Sequence, residues 1–181
     1  MKQQKILLIG GPGTGKSSII SFLEKKGFHC LPEISREVIR EAQKKGIEQL
    51  FLANPLLFSE MLLQKRIEQF REAESQAQPY VFIDRGIPDV SAYLDYIGND
   101  YPEIFTKTNK AYRYDKIFVL PIWKEIHRTD DERYESHEQA VKIQKFLIAT
   151  YVDLGYELIS VPKTSIEERA AFILKNLGLS I

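Results

Sequence analysis

The chain is poor in the residues that build covalent and metal frameworks: its 181 residues include one cysteine, one tryptophan, two methionines and three histidines. Cys30 alone cannot close an intramolecular disulfide. His29, His127 and His137 lack metal-ligand spacing, so too few donors remain for a zinc or iron–sulfur centre. This usage fits a reducing cytoplasm. Net charge is also lacking, because 25 Lys plus Arg balance 25 Asp plus Glu. No global field draws the chain to nucleic acid or to an anionic membrane, and neither is expected as a partner. Long apolar runs are missing too: the first, residues 6–9, breaks at Gly10, too early for a signal-peptide core or a membrane span. With no internal period, low-complexity tract or flexible linker, one α/β domain over residues 1–181 is expected.

Against this plain background the run Gly10-Gly11-Pro12-Gly13-Thr14-Gly15-Lys16-Ser17-Ser18 stands out, because it completes G-x-x-x-x-G-K-[ST] directly after the apolar stretch 6–9. Backbone N–H groups converging on phosphate oxygens need a loop whose glycines leave it open. Lys16 supplies a charge for the β- and γ-phosphates, and the Ser17 hydroxyl can join a Mg²⁺ shell. The helix expected from Lys16 adds its positive N-terminal dipole, and Gly27 marks its end. A tight turn alone would not require Lys16 and Ser17.

Four further apolar stretches, 28–31, 80–83, 116–120 and 156–161, alternate with amphipathic patterns at 34–45, 55–77, 89–97, 135–154 and 165–177. Strands separated by helices imply right-handed crossovers and a five-stranded parallel sheet, with ligands at the carboxyl ends of the strands. Leu56, Met61, Leu62, Leu63, Ile67 and Phe70 are expected in the core.

The segments after these strands hold the candidate site residues. Asp84 closes an apolar strand and is expected to face Ser17 and hold the ion, with helix capping as the alternative. Arg85 and Asp89 flank the turn Gly86-Ile87-Pro88. The guanidinium is expected either to clamp a phosphate or the acceptor, or to pair with Asp89 or Glu33. Glu33 and Arg36 start a helix beside the cleft, with Glu33 as a candidate base for an acceptor hydroxyl or simply a first-turn acid. The charged run 127–134 reads as a lid whose Arg128 and Arg133 offer charge to the γ-phosphate, or as a solvated loop. Tyr93 can line an acceptor pocket. Pro162 can border a base, and Ser165 with Glu168 forms a capping box.

Together the phosphate loop, Pro32-Glu33 to Arg36, Asp84-Arg85-Gly86-x-Pro88-Asp89 to Tyr93, Arg128 to Arg133-Tyr134 and Val161-Pro162 make the chain similar, over nearly its full length, to a small AAA-labelled P-loop family. That family contains the nicotinamide riboside kinase domain of bacterial NAD regulators and the TRPL-translocation-defect type of nucleotide-binding proteins. The resemblance implies a three-layer nucleoside/nucleotide-kinase fold with strand order 2-3-1-4-5, an arginine-bearing lid, and Arg85 near the acceptor. No counterpart of the regulators' adenylyltransferase domain is expected, so their substrate does not transfer.

Three functions follow from these residues. A kinase would use ATP and Mg²⁺ to phosphorylate a small nucleoside- or nucleotide-like acceptor through Lys16, Glu33, Asp84, Arg128 and Arg133. A nucleotide-dependent switch would bind ATP or GTP, although Asn109-Lys110-Ala111-Tyr112 lacks the Asp that reads guanine. A hexameric remodelling ATPase needs more chain than follows the last strand. The kinase reading accounts for the most residues.

Overall fold

Ile6, Leu7, Leu8 and Ile9 are fully buried, which a strand achieves only when both faces of its sheet are covered. The computed structural model describes residues 3–126 and 135–180. In it β1 (Gln4–Ile9) is the central strand of a five-stranded sheet ordered β2-β3-β1-β4-β5. Its partners are β2 (His29–Leu31), β3 (Tyr80–Asp84), β4 (Lys116–Val119) and β5 (Leu158–Ser160), and every pairing is parallel. Leu8 lies opposite Asp84 and Ile9 opposite Val119, so the ends of β1, β3 and β4 align along one edge.

Alternation along β1 divides the core. Ile6 and Leu8 meet α1 (Lys16–Lys25) and α8 (Ile166–Asn176), while Leu7 and Ile9 face the larger layer. That layer holds α2 (Ser35–Lys44), α3 (Leu50–Ala53), α4 (Pro55–Ser75), α5 (Pro88–Ile97), α6 (Ile104–Ala111) and α7 (His137–Asp153). Leu62, Leu63 and Phe70 are buried there, with Leu56, Met61 and Ile67 packed partly against them. Among the described residues no helix is long and apolar enough to cross a membrane.

Local chemistry explains the helix ends. Pro88 opens α5, where its missing N–H costs nothing, and Gly98 closes it at φ 69°. Capping boxes start α7, from Ser136 and Gln139, and α8, from Ser165 and Glu168. The apolar stretch expected to give a strand over 156–161 pairs only over Leu158–Ser160. Two helices were not expected. The buried side chains of α6 are Phe105, Thr108 and Asn109, which leave little apolar period to read, and α3 is four residues long.

Cys30 sits half-buried on β2, and burial, with Glu24 adding to it, pushes its thiol up to about 12. The thiolate is the reactive form, so alkylation near neutral pH should run about 1,000-fold slower than for a free cysteine peptide. Iodoacetamide labelling of the native chain, followed by mass, with the denatured chain as reference, checks this.

Candidate functional site

The glycine-rich loop 10–15 bridges β1 and α1, and its glycines answer to the protein packed behind it. At Gly10, φ is 151° and a Cβ would stand 2.7 Å from the Leu120 carbonyl oxygen. At Gly15, φ is 87° and a Cβ would meet an Arg169 guanidinium nitrogen at 2.9 Å. The expectation that glycines only clear space for phosphate is therefore incomplete: the loop is pressed against β4 and α8. Arg169 donates to the Thr14 carbonyl oxygen at 3.1 Å and lies 5.7 Å from the Trp123 ring centroid, propping the loop from α8. On the far side the Gly11 amide donates to Gln144 Oε1 of α7 at 3.0 Å.

Lys16 points into the loop and donates to the Gly10 and Gly11 carbonyl oxygens at 2.7 and 3.0 Å. Burial, reinforced by Arg85, brings its ammonium down to about 7 against the pull of Asp84, Glu33 and Asp89. Ser17 Oγ donates to Asp84 Oδ2 at 3.3 Å, as the spacing of the two motifs required. Asp84 is buried, its other oxygen Oδ1 has no hydrogen-bond partner, and burial pushes its carboxyl upward although Lys16 opposes it. An orphaned carboxylate oxygen beside a hydroxyl, at the mouth of a phosphate loop, is a donor set suited to a hard divalent cation.

Beyond Asp84 the charges interlock. Glu33 receives Arg66 Nη2 at 2.7 Å on one oxygen and faces Arg85 Nε at 2.5 Å with the other. Its first oxygen also accepts the Ser35 amide at 3.0 Å. Burial alone would raise this carboxyl, but Arg66, Arg85, the Ser35 amide and Lys16 overcome it and bring it down to about 2. Arg85 makes the expected ion pair with Glu33, with Asp89 at 3.9 Å, and its side chain lines the cleft.

Arg66 of α4, not among the expected site residues, is buried, and its Nη1 donates to the Asp84 and Arg85 carbonyl oxygens at 3.3 and 3.2 Å. A signal was present, since Arg66 follows Leu62 by one helical turn on the buried face. Arg85 has φ 68°, a left-handed conformation that a side chain adopts at a cost. Asp89 Oδ2 accepts the Gly86 amide at 3.0 Å and the Tyr151 hydroxyl of α7 at 2.6 Å. Burial, then the Asp89 charge, holds the Tyr151 phenol well above its ordinary value, so it stays a donor.

These groups open on one cavity of about 480 Å³. Pro12 to Ser18 form one wall, with Glu33, Arg36, Asp84, Arg85, Asp89 and Tyr93 along the other. Phe51, Phe58 and Leu62, the last of them expected in the core, make its apolar end. Arg36 is exposed at its rim. Pro162 is exposed after β5 and is not part of this lining. Arg128 and Arg133, and with them the expected lid, lie outside the described residues.

Residues 5–169 match a family described as an AAA domain. No curated protein matches the chain in sequence. Among solved structures, the chain is similar to deoxyadenosine kinase from M. mycoides with products dCMP and a flexible dCDP bound, at 17% identity and TM-score 0.72, covering 97% of this chain and 99% of that one. It is similar to thymidylate kinase from Candida albicans at 19% identity and TM-score 0.68, covering 98% and 92%. NadR in complex with NR is 16% identical with TM-score 0.75; the match covers 99% of this chain and 51% of NadR, about half its length. What these likenesses share with this chain is the fold, the five-stranded parallel sheet in the order 2-3-1-4-5.

Proposed function

We propose that this chain, which belongs to the AAA-domain family matched over residues 5–169, is a kinase that uses ATP and Mg²⁺ to phosphorylate a small nucleoside- or nucleotide-like acceptor. One observation carries the reading: a single cavity joins the phosphate loop to a second wall built from Glu33, Arg85, Asp89 and Tyr93, ending in Phe51 and Phe58. A protein that only bound a nucleotide would have no use for a polar wall and an aromatic end facing the γ-phosphate.

In this reading Lys16 exchanges the loop carbonyls for β- and γ-phosphate oxygens, which supply the countercharge that its buried position lacks. Ser17 and Asp84 would hold the magnesium ion directly or through water, and the ion neutralises charge building on the phosphoryl oxygens. Glu33 changes role. A carboxyl held at about 2 by two guanidiniums is a weak base, so it orients the acceptor hydroxyl and fixes Arg85 rather than driving deprotonation. Phosphoryl transfer through a loose transition state asks mainly for positioning and charge, which suits that role. ATP is favoured over GTP by the missing guanine-reading Asp after Asn109-Lys110.

The test is ADP release in Mg-ATP across a panel of nucleosides, nucleoside monophosphates and small alcohols. Acceptor-dependent release, lost in Asp84→Asn by about 100-fold or more, is the expected result. Tight ATP binding with slow hydrolysis indifferent to every acceptor would instead fit a nucleotide-dependent switch.

A further inference from the structure

We propose that α7 is a brace that sets the distance between the phosphate loop and the Arg85 guanidinium, and that Tyr151 is its positioning residue on the acceptor side; the functional part rests on the kinase reading above. Gln144 and Tyr151 are seven residues apart on α7, two turns on one face and about 10 Å along the axis. Gln144 takes the Gly11 amide at 3.0 Å, and Tyr151 donates to Asp89 at 2.6 Å. One rigid rod thereby touches both walls of the cleft.

The turn that Tyr151 reaches closes on itself through the Asp89 amide and the Gly86 carbonyl oxygen at 3.2 Å, and leans on side chains from elsewhere for the rest. Arg85 sits at φ 68°, and its carbonyl oxygen accepts from Arg66 of α4 at 3.2 Å. The Ile87 amide donates to the Tyr114 hydroxyl at 3.1 Å, and the Gly86 amide donates to the Asp89 oxygen that Tyr151 also grips. Gly86 has no room for a side chain: a Cβ would stand 2.7 Å from both Leu7 Cδ2 and the Tyr151 hydroxyl. A left-handed arginine persists only where its surroundings over-determine it. Here three buried side chains from separate parts of the fold do so, and the result is a guanidinium aimed at Glu33 and into the cleft. Tyr151 is fully buried and does not line the cavity, so it acts through Asp89 and Arg85 and not on a ligand.

Tyr151→Phe keeps the ring and deletes the hydroxyl. In the full chain labelled with ¹⁵N, the Arg85 Nε–H resonance is identified by its loss in Arg85→Lys. In Tyr151→Phe that resonance should move and exchange with water at least about tenfold faster, while Mg-AMP-PNP affinity stays within about twofold and kcat for acceptor-dependent ADP release falls by about 10- to 100-fold. An unchanged Arg85 resonance overturns the brace, and a shifted resonance with unchanged kcat overturns its positioning role. If Tyr151→Phe does not fold, Asp89→Asn, which keeps the shape and removes the charge Tyr151 holds, is read by the same resonance and kcat. Should the wild type show no acceptor-dependent release, the kinase reading fails on its own and the Arg85 resonance decides the brace.

Discussion

Glu33→Ala should destabilise the protein by about 3–5 kcal/mol, because it strands the buried Arg66 guanidinium and takes the nearest countercharge from the partly exposed Arg85. For a chain of this size that is a fall in Tm of about 6–20 °C. Glu33→Gln separates charge from shape, since the amide still offers an oxygen to Arg66 and Ser35. The sign of the pH dependence follows from the carboxyl's position: it lies at about 2 in the fold against 4.5 for a free glutamate. Its stabilisation is therefore complete above the free value and disappears as pH falls from there toward 2. The Tm gap between wild type and Glu33→Gln should be widest at neutral pH and close through that acidic window. Thermal melts of the three proteins across this range check it, and a gap that does not narrow would mean the charge of Glu33 is not what holds Arg66 and Arg85.

That network marks where the sequence stopped being readable. The phosphate loop was legible because its chemistry is contiguous, and Asp84 because a strand ending in a carboxylate lies beside β1 in any parallel sheet of this kind. Glu33, Arg36, Arg85, Asp89 and Tyr93 were found by the rule that strand ends gather at one edge, and the cavity brings them together. Arg66, Gln144, Tyr151 and Arg169 lie within helices and not at strand ends, and packing alone turns them inward. Arg66 and Tyr151 lie on the buried faces of α4 and α7, so a charged or hydroxyl group inside an apolar stripe was the available sign. Glu33 is legible as a strand-end acid that is either a base or a first-turn acid; its pairing with Arg66 and Arg85 depends on packing that brings α4 beside β2.

Lys16→Met should show the opposite balance from Glu33→Ala, with catalysis lost and the fold kept. The Lys16 ammonium is desolvated, with its hydrogen bonds going to the loop carbonyls and Thr14, and burial already works against its charge. Removing it sacrifices those hydrogen bonds but also relieves the burial penalty, so Tm without nucleotide should move by only about 2–4 °C, the equivalent of roughly 1 kcal/mol. Turnover should fall by about 100- to 1,000-fold, the effect of deleting one preorganised donor from a developing phosphoryl charge. Ligand-induced stabilisation separates binding from folding in the same measurement. At 100 times its Kd, Mg-ATP adds about 2.7 kcal/mol to a protein that binds it, a rise in Tm of about 5–11 °C here. Wild type should show that rise and Lys16→Met should not, while without nucleotide the two should melt within about 2–4 °C of each other. A variant that keeps the full nucleotide-induced rise would place the triphosphate somewhere other than the loop after β1.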